Sequence, residues 1–408
     1  MKLNDNYTVS GEDLQEAVAA LNDFKKNTKT ESIPMEKITF MDFAEVKGQK
    51  RLVPLNPKRV YRQNLKSYSV KSIDYNRKEL LDNGWDEDIV KEAEDNGMFI
   101  KVGKKLYPVS KLAYTSMANR AGITGPAVAK KSLCKSMLIA ENFNSDTQVT
   151  LVKRANEDKE KVFAIMSGDY GYIRQDIISD IIQKCLIDLY GLGVPTCSNW
   201  EITQSFSRVY LDFPAKKKEF DHAYATSKSA KDEFIPGIML ETSDVGDCSF
   251  RIVSYLKING NMIFTKDRYE KVHLGKINTG KIITYTQENI LPNLTIYPDL
   301  FEKLSDIDLF NPFYPSKEHT IDVFDDLMKH CGLDKALGKK RMKKADEMLF
   351  AELKKLESDA GSFTAFDLLE FTLNLAKSEI ANSELVKRNI YEYTHQILTY
   401  KFSDEMAA

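Results

Sequence analysis

The spacing of hydrophobic and polar positions predicts an α+β protein. Residues 11–26 carry apolar side chains at helical intervals, and "WDEDIVKEAEDNG" predicts a second helix that ends at Gly97. "TQVTLVKRAN" and "KVFAIMSGDYGYI" alternate with the period of two that is typical of strands, and the polar turn "NEDKEK" joins them into a hairpin. "MFIKVGKKLYPVS" predicts another hairpin, which turns at Gly103.

The middle of the chain predicts a helix followed by a meander of strands. "RQDIISDIIQKCLIDLYGLG" has an amphipathic helical pattern, and four strand-like segments follow it. This order predicts an antiparallel sheet with a helix packed on one face. After the proline-rich link 288–316, "TAFDLLEFTLNLAKSEI" and "VKRNIYEYTHQILTYKF" have 3.6-residue spacing, which predicts a helical C-terminal part.

These patterns divide the chain into three predicted regions. Residues 1–109 form a basic arm with a small helical and hairpin region, 110–290 form the α+β core domain, and 291–408 form the helical C-terminal region. The stretch 27–75 is polar and basic, contains three prolines and has poor periodicity. It is therefore predicted to be an extended arm or loop that becomes ordered on a partner.

A possible helix-turn-helix occupies "SKLAYTSMANRAGITGPAVAKKSLCKSM". Ala118, Gly122 and Val128 match the small, glycine and apolar positions of that motif. Pro126 lies near the start of the second helix, and three such permissive positions recur often by chance. We therefore favour a pair of helices that packs against the protein over one that reads a DNA major groove.

Composition indicates an ordinary globular chain. Of its 408 residues, 42% are hydrophobic and 29% are charged. No apolar run approaches the roughly 18 residues that cross a bilayer, and the N-terminus lacks a hydrophobic signal core. We expect a cytoplasmic protein with no membrane association. Five scattered cysteines without a CxxC pair predict free thiols and argue against a zinc site.

Charge is segregated along the chain although the net charge is only −2. Residues 46–140 contain 19 basic and nine acidic residues, a net charge of +10, and the remainder carries −12. Such segregation is typical of nucleic-acid-binding surfaces, while a solvated basic face beside an acidic neighbour is an equally weighted alternative. Residues 335–344 carry six further basic residues, either on a solvated helix face or in a second contact patch.

One stretch contains side chains that a hydrolase or a metal site would use. Asp244, Asp247, Cys248 and His273 lie within about thirty residues, but both aspartates fall in "SDVGD", where Asp and Gly are common for backbone reasons. No second histidine lies near His273 in sequence, and the chain contains neither a GxxxxGK[ST] phosphate loop nor a GxSxG elbow. No catalytic residue, metal or cofactor is therefore predicted. A metal-dependent nuclease stays open, because carboxylates that are distant in sequence can converge.

Basic and aromatic residues instead indicate binding to a single strand. Cations neutralise phosphates, and aromatic rings stack on bases without regard to sequence. The alternative is ordinary alternation of lysine and tyrosine on the wet face of a sheet. The predicted nucleic-acid-binding residues are Lys58, Arg59, Tyr61, Arg62, Lys130, Lys131, Lys153, Arg154, Arg174, Arg268, Lys271, His273 and Lys276.

The order of motifs over about residues 110–400 resembles a family of phage and plasmid proteins of unknown function. The matching segments are "MANRAGITG", "VTLVKR…KVFAIMSGDYGYIRQDIISDI", "PGIMLETSDVGDCSFRI", "INGN" with "VHLGK", and "FTAFDLLEFTLNLA". Where the family has a "CTNG"-type element this chain has "KINGN", whose missing cysteine argues against a cysteine mechanism. The hairpin–helix–sheet order also resembles the core of phage single-strand annealing proteins, whose rings hold DNA along a basic groove.

Together these features predict a phage or plasmid protein that binds or anneals single-stranded DNA without sequence specificity, in recombination or replication. A homo-oligomer is expected, and duplex DNA and RNA are the alternative nucleic-acid partners. A structural or protein-interaction factor of a virion or of host takeover, working through the acidic C-terminal region, is the second hypothesis. The metal-dependent nuclease is the third.

Overall fold

The fold is taken from a computed structural model, which contains helices and two large sheets and confirms the α+β class. It describes residues 1–46, 48–55, 75–143, 148–168, 173–183, 194–216, 218–221, 231–258, 261–264, 279–290, 312–313, 317–358, 363–381, 386, 390, 393, 396 and 400.

The strands follow one another along the chain. They are β1 Thr8–Gly11, β2 Thr28–Pro34, β3 Ile38–Val46, β4 Gln49–Pro54, β5 Tyr75–Asn76, β6 Met98–Val102, β7 Lys105–Val109, β8 Gln148–Asn156, β9 Lys159–Ser167, β10 Thr196–Thr203, β11 Ser207–Asp212, β12 Lys218–Asp221, β13 Lys231–Thr242, β14 Arg251–Ile258, β15 Asn261–Phe264, β16 Pro312–Phe313 and β17 Phe363–Thr364.

The α-helices are numbered in the same way. They are α1 Leu14–Asn27, α2 Arg77–Asp82, α3 Glu87–Asn96, α4 Lys111–Arg120, α5 Leu133–Asn142, α6 Ile177–Ile181, α7 Thr279–Tyr285, α8 Lys317–Cys331, α9 Leu333–Leu337, α10 Lys339–Ser358 and α11 Ala365–Asn374.

An eight-stranded sheet has the order β2-β8-β9-β7-β6-β3-β4-β5. Its pairs are antiparallel except for β7 and β9, which run parallel where Val109 faces Val162. Helices α4 and α5 cover one face, where Tyr114 and Ile139 join a core with strand residues such as Phe40. Helices α2 and α3 cover part of the other face. The central strand β3 is therefore buried on both sides and does not show a simple alternating pattern.

The second large sheet has the order β1-β10-β11-β13-β14-β15, with β12 paired to β13, and all its pairs are antiparallel. Residues of α1, of 173–182 and of α7 pack on one face, against strand residues such as Trp200 and Leu240. This sheet confirms the predicted meander with a helix across one face. Helix α6 is the described part of that predicted helix. The C-terminal helices form a further core with Leu256 and Ile263 of the same sheet.

Several local predictions are confirmed. Helix α1 matches 11–26, α3 ends next to Gly97, and β6–β7 and β8–β9 are the predicted hairpins. Gly103 has φ +59° in the first hairpin turn, a conformation that glycine adopts at little cost. The four described cysteines are free thiols.

The described part of the predicted arm at 27–75 is instead largely sheet. Residues 28–54 contain β2, β3 and β4, and residues 56–74 lie outside the described part of the chain. Strands from both sides of residue 109 pair in the eight-stranded sheet, and the hairpin β8–β9 belongs to it rather than to the meander. The predicted boundary between 1–109 and 110–290 therefore falls inside a sheet.

The helix-turn-helix interpretation is also corrected by the structure. Helix α4 ends at Arg120 and α5 begins at Leu133, while Val128 lies in a separate 3-10 turn, Pro126–Val128. The connection is therefore too long for the motif. The favoured alternative, two helices that pack against the protein, is confirmed by their shared core with the sheet.

Among the described residues, the search for membrane spans finds no helix with the length and apolar character needed to cross a bilayer.

Candidate nucleic-acid interface

Eight of the thirteen predicted binding residues lie outside the part of the chain that the structure describes. They are Lys58, Arg59, Tyr61, Arg62, Arg268, Lys271, His273 and Lys276. The other five lie on or beside the eight-stranded sheet or next to α6.

Arg154 does not line an exposed groove as the sequence predicted, because its side chain is fully buried. It lies on β8 and forms a bidentate ion pair with Asp244, with Nη1 2.6 Å from Oδ2 and Nη2 2.5 Å from Oδ1. Gln175 donates to the same carboxylate at 3.1 Å, and Arg154 also donates to the Thr28 hydroxyl at 2.8 Å. Arg154 is therefore a structural link between the two sheets and has no surface to offer a phosphate.

Lys153 is also buried, with 5% of the residue exposed. Its ammonium lies 2.7 Å from Glu31 on β2 and 3.3 Å from Glu160 on β9. Burial opposes the charged form, but the bond to Glu31 and the charge of Glu160 outweigh it and raise the pKa of Lys153. The lysine is thus held as a cation between two carboxylates, and its predicted place in a groove is corrected.

Glu160 completes a network on this side of the sheet. It also pairs with Lys29 of β2, at 2.8 Å. Burial raises the pKa of Glu160, but the bonds and charges of Lys29 and Lys153 outweigh that effect and hold the pKa below its usual range. Two lysines and two glutamates therefore neutralise one another across β2, β8 and β9.

Lys131 is engaged within the protein as well. Its ammonium donates to Asp42 at 2.7 Å and to the Glu94 carbonyl at 3.1 Å, which joins the segment before α5 to β3 and α3. Burial raises the pKa of Asp42, although Lys131 acts in the opposite direction. Lys130, the preceding residue, is exposed and has no carboxylate partner in the described structure.

Arg174 lies next to the helix that crosses the second sheet. Its Nε is 2.9 Å from Asp176, which Lys25 of α1 also approaches, at 3.1 Å. The Arg174 side chain keeps 38% of its surface exposed. Arg174 is therefore a partly exposed cation that is paired with a buried carboxylate. It is separated in sequence from the other described candidates.

A charged cluster that the sequence did not reveal lies on β11, β13 and β14. Glu241 is fully buried between Arg208, whose Nη2 is 2.5 Å from Oε1, and Arg251, which contacts Oε2. Burial raises the pKa of Glu241, but the two guanidinium groups outweigh that effect and lower the pKa. Nearby, the Tyr255 hydroxyl donates to Asp212, which also pairs with Lys257. The partners are adjacent only through strand register, so no local sequence pattern indicates them.

Four lysines lie near one end of the eight-stranded sheet. Strand β6 pairs with β3 so that Lys101 is opposite Thr39 and Val102 is opposite Ile38, the residue after Lys37. Lys105 is opposite Val102 across the β6–β7 turn. Lys37, Lys104 and Lys105 are exposed, and Lys101 is partly exposed. None of these four ammonium groups has a carboxylate partner within 4.0 Å in the described part of the chain.

Three acidic side chains near this sheet pair with cations outside this group of lysines. Glu94 pairs with Lys50, Glu87 with Arg77, and Glu92 with the buried Lys161. Within the described part of residues 46–140, exposed lysines such as those of the β6–β7 hairpin therefore add positive charge to the surface. We call Lys37, Lys101, Lys104 and Lys105 the lysine end of the sheet.

Both aspartates of "SDVGD" make structural contacts in the described part of the chain. Asp244 accepts the bonds of Arg154, and the backbone N–H of Asp247 donates to the Ser243 hydroxyl at 3.0 Å in the turn between β13 and β14. Gly246 has φ +79° in this turn between the antiparallel strands β13 and β14, which agrees with a backbone role for this glycine. Within the described residues, no three His, Cys, Asp or Glu side chains are grouped to hold a metal ion. His273 lies outside those residues.

Comparison of the chain with protein-family models, curated proteins and solved structures finds no match.

Proposed function

We propose that the protein binds single-stranded DNA without sequence specificity, and that the lysine end of the sheet contributes phosphate contacts. The observation that supports this proposal is the arrangement of Lys37, Lys101, Lys104 and Lys105 around one strand pairing and one turn, where the described residues place no carboxylate within 4.0 Å of their ammonium groups. Lysine ammonium groups that are not neutralised within the protein are available to displace counterions from a polyanion.

The lysine end is suited to backbone contacts rather than to reading bases. It is formed by a strand pairing and a two-residue turn, so it does not present a helix that could enter a major groove. Strands β6 and β7 hold the Cα atoms of Lys101 and Lys105 in fixed positions, while the long lysine side chains adapt to an irregular strand. Binding is therefore expected to depend on charge and salt and very little on sequence.

The role proposed for such binding is strand protection or annealing in the recombination or replication of a phage or plasmid. It follows from the resemblance of the motif order and from the charge segregation of residues 46–140. Phosphate contacts alone accommodate any sequence, which an annealing protein requires.

The proposal is tested by fluorescence anisotropy with a labelled oligothymidylate at several salt concentrations. The variant carries Lys37→Gln, Lys101→Gln, Lys104→Gln and Lys105→Gln. Four lost contacts lower the salt slope by up to about 3 units, at about 0.7 per phosphate on a single strand. An unchanged slope in a folded variant contradicts the assignment.

A matched control removes the same charge elsewhere. Lys335, Lys339, Lys340 and Lys343 are exposed residues of the basic segment 335–344, on α9 and α10. Changing all four to Gln alters the net charge equally and is expected to leave most of the affinity. If this control loses the affinity instead, the binding surface is the C-terminal patch and not the lysine end.

A further inference from the structure

Strand β2 is an edge of the eight-stranded sheet. It pairs with β8 on one side, and no described strand pairs with its other side. Lys29, Thr30 and Ser32 are exposed along it. An exposed strand edge presents backbone N–H and C=O groups that can pair with another chain.

The side chains of β2 alternate in a regular way. Lys29 and Glu31 lie on one face, with exposed side-chain fractions of 55% and 42%. Thr28, Thr30 and Ser32 lie on the opposite face. The first face therefore carries a positive charge at Lys29 and a negative charge at Glu31, and the other face carries three hydroxyl groups before Pro34.

We propose that β2 is a homodimer interface, at which a second copy of this chain adds its own β2 antiparallel to the first. In a register centred on Thr30, Lys29 is opposite Glu31 of the second copy, and Glu31 is opposite its Lys29. Opposite charges directly across an antiparallel pair stabilise it. The same register places Thr28 opposite Ser32, and Thr30 opposite itself, so hydroxyl groups face hydroxyl groups.

The register is selected by charge. Centring the pair on Lys29 or on Glu31 places two like charges directly opposite each other, which is destabilising. A two-fold axis allows all three centres, because each pairs residue i with j and j with i, so charge and not symmetry favours Thr30. Pro34 ends the strand and limits the pairing to a short segment.

A lysine on an edge strand often deters pairing with another chain. Here Glu160 approaches the Lys29 ammonium to 2.8 Å, and Lys153 approaches Glu31 to 2.7 Å, so each charge already has an opposite neighbour within its own chain. In the dimer the four residues and their counterparts form one alternating ladder of charges across the joined sheets. This interface is independent of the nucleic-acid proposal.

The opposite charges of Lys29 and Glu31 allow the interface to be tested by mixing two charge-reversed variants. Lys29→Glu makes both β2 charges negative, and Glu31→Lys makes both positive, so each variant opposes like charges in its own homodimer. Either substitution is expected to lower the association constant roughly tenfold, as measured by analytical ultracentrifugation. An equimolar mixture restores opposite pairs and is expected to form a one-to-one dimer. Variants that associate like the parent, or a mixture that does not recover, would overturn the proposal.

Cysteine cross-linking tests the register without changing a charge. With Cys134→Ser as background, because Cys134 is an exposed free thiol, Thr30→Cys places two thiols at the two-fold axis. Directly opposite Cα atoms lie about 5 Å apart, within reach of a disulfide. Ser32→Cys is the control, because its two copies lie roughly 14 Å apart along the strands. Oxidation is expected to link the first variant and not the second; equal yields, or none, contradict the interface.

Discussion

Arg154 and Asp244 are 90 residues apart in sequence and form a bidentate ion pair, at 2.6 and 2.5 Å, where the two large sheets meet. Arg154 belongs to β8 of the eight-stranded sheet, and Asp244 follows β13 of the other. Both side chains are almost completely excluded from solvent. Ser207 donates to Gln175, which in turn donates to Asp244, so the pair is anchored in a wider polar network.

Asp244→Asn should strongly destabilise the protein. The change leaves the Arg154 guanidinium buried beside a neutral amide, and breaking a buried pair by removing one partner costs about 3–5 kcal/mol. Urea unfolding followed by circular dichroism measures the loss. A cycle with Arg154→Met and the double variant should show coupling, the double costing less than the sum of the single changes.

The matched control is the exposed pair of Arg77 and Glu87, in which Nη2 and Oε1 are 3.0 Å apart. Arg77→Met should cost no more than about 1 kcal/mol, as surface pairs do. If Asp244→Asn costs as little as this control, the pair does not hold the sheets together.

Asp346 on α10 should make stability depend on pH. Burial and the neighbouring charges of Asp325 and Glu347 raise its pKa to about 6. The folded state therefore binds a proton more tightly than the unfolded state, so this group costs stability as pH rises through about 6. Asp346→Asn should stabilise the protein above pH 6, by about 1 kcal/mol after allowance for solvent screening, and the gain should vanish near pH 4.

Thermal unfolding at pH 4 and pH 7.5 would show this difference. Glu352→Gln, at an exposed carboxyl of the same helix, serves as the control and should give a similar small effect at both values. An Asp346→Asn variant that is no more stable than the parent at pH 7.5 contradicts the assignment.

Gly237→Ala should disturb the second sheet. Gly237 is directly opposite Tyr255, and an added Cβ would lie 2.2 Å from Cζ of that ring. Tyr255 is buried and its hydroxyl donates to Asp212 at 2.7 Å, so the ring cannot move away without losing this bond. Overpacking of this kind costs about 1–3 kcal/mol.

Chemical unfolding together with the near-ultraviolet dichroism of tyrosine measures the effect of that alanine. Gly103→Ala is the comparison, because its Cβ would meet nothing within 4 Å and only its φ of +59° is unfavourable. The Gly103→Ala variant should change the free energy of unfolding without altering the tyrosine signal. A Gly237→Ala protein with parental stability and spectrum would show that the contact between the added Cβ and the Tyr255 ring is relieved at little cost in free energy.

The sequence predicted the hairpins and α1 because each is defined by neighbours along the chain. It missed β3, since helices cover both faces of that strand and remove the alternation that reveals a half-buried strand. It also misjudged Lys153 and Arg154, since their carboxylate partners Glu31 and Asp244 are 122 and 90 residues away. A basic residue on a predicted strand does not by itself indicate which face it occupies or which acid meets it.

The binding of single-stranded DNA by the parent protein, followed over a series of salt concentrations, tests the central claim most directly. Anisotropy of a labelled oligothymidylate should show saturable binding at about 50 mM salt, and affinity should fall linearly with salt on logarithmic axes. A mixed-sequence oligonucleotide of the same length should bind with similar affinity. Absence of binding at about 50 mM salt, or an affinity that is independent of salt, would contradict the account.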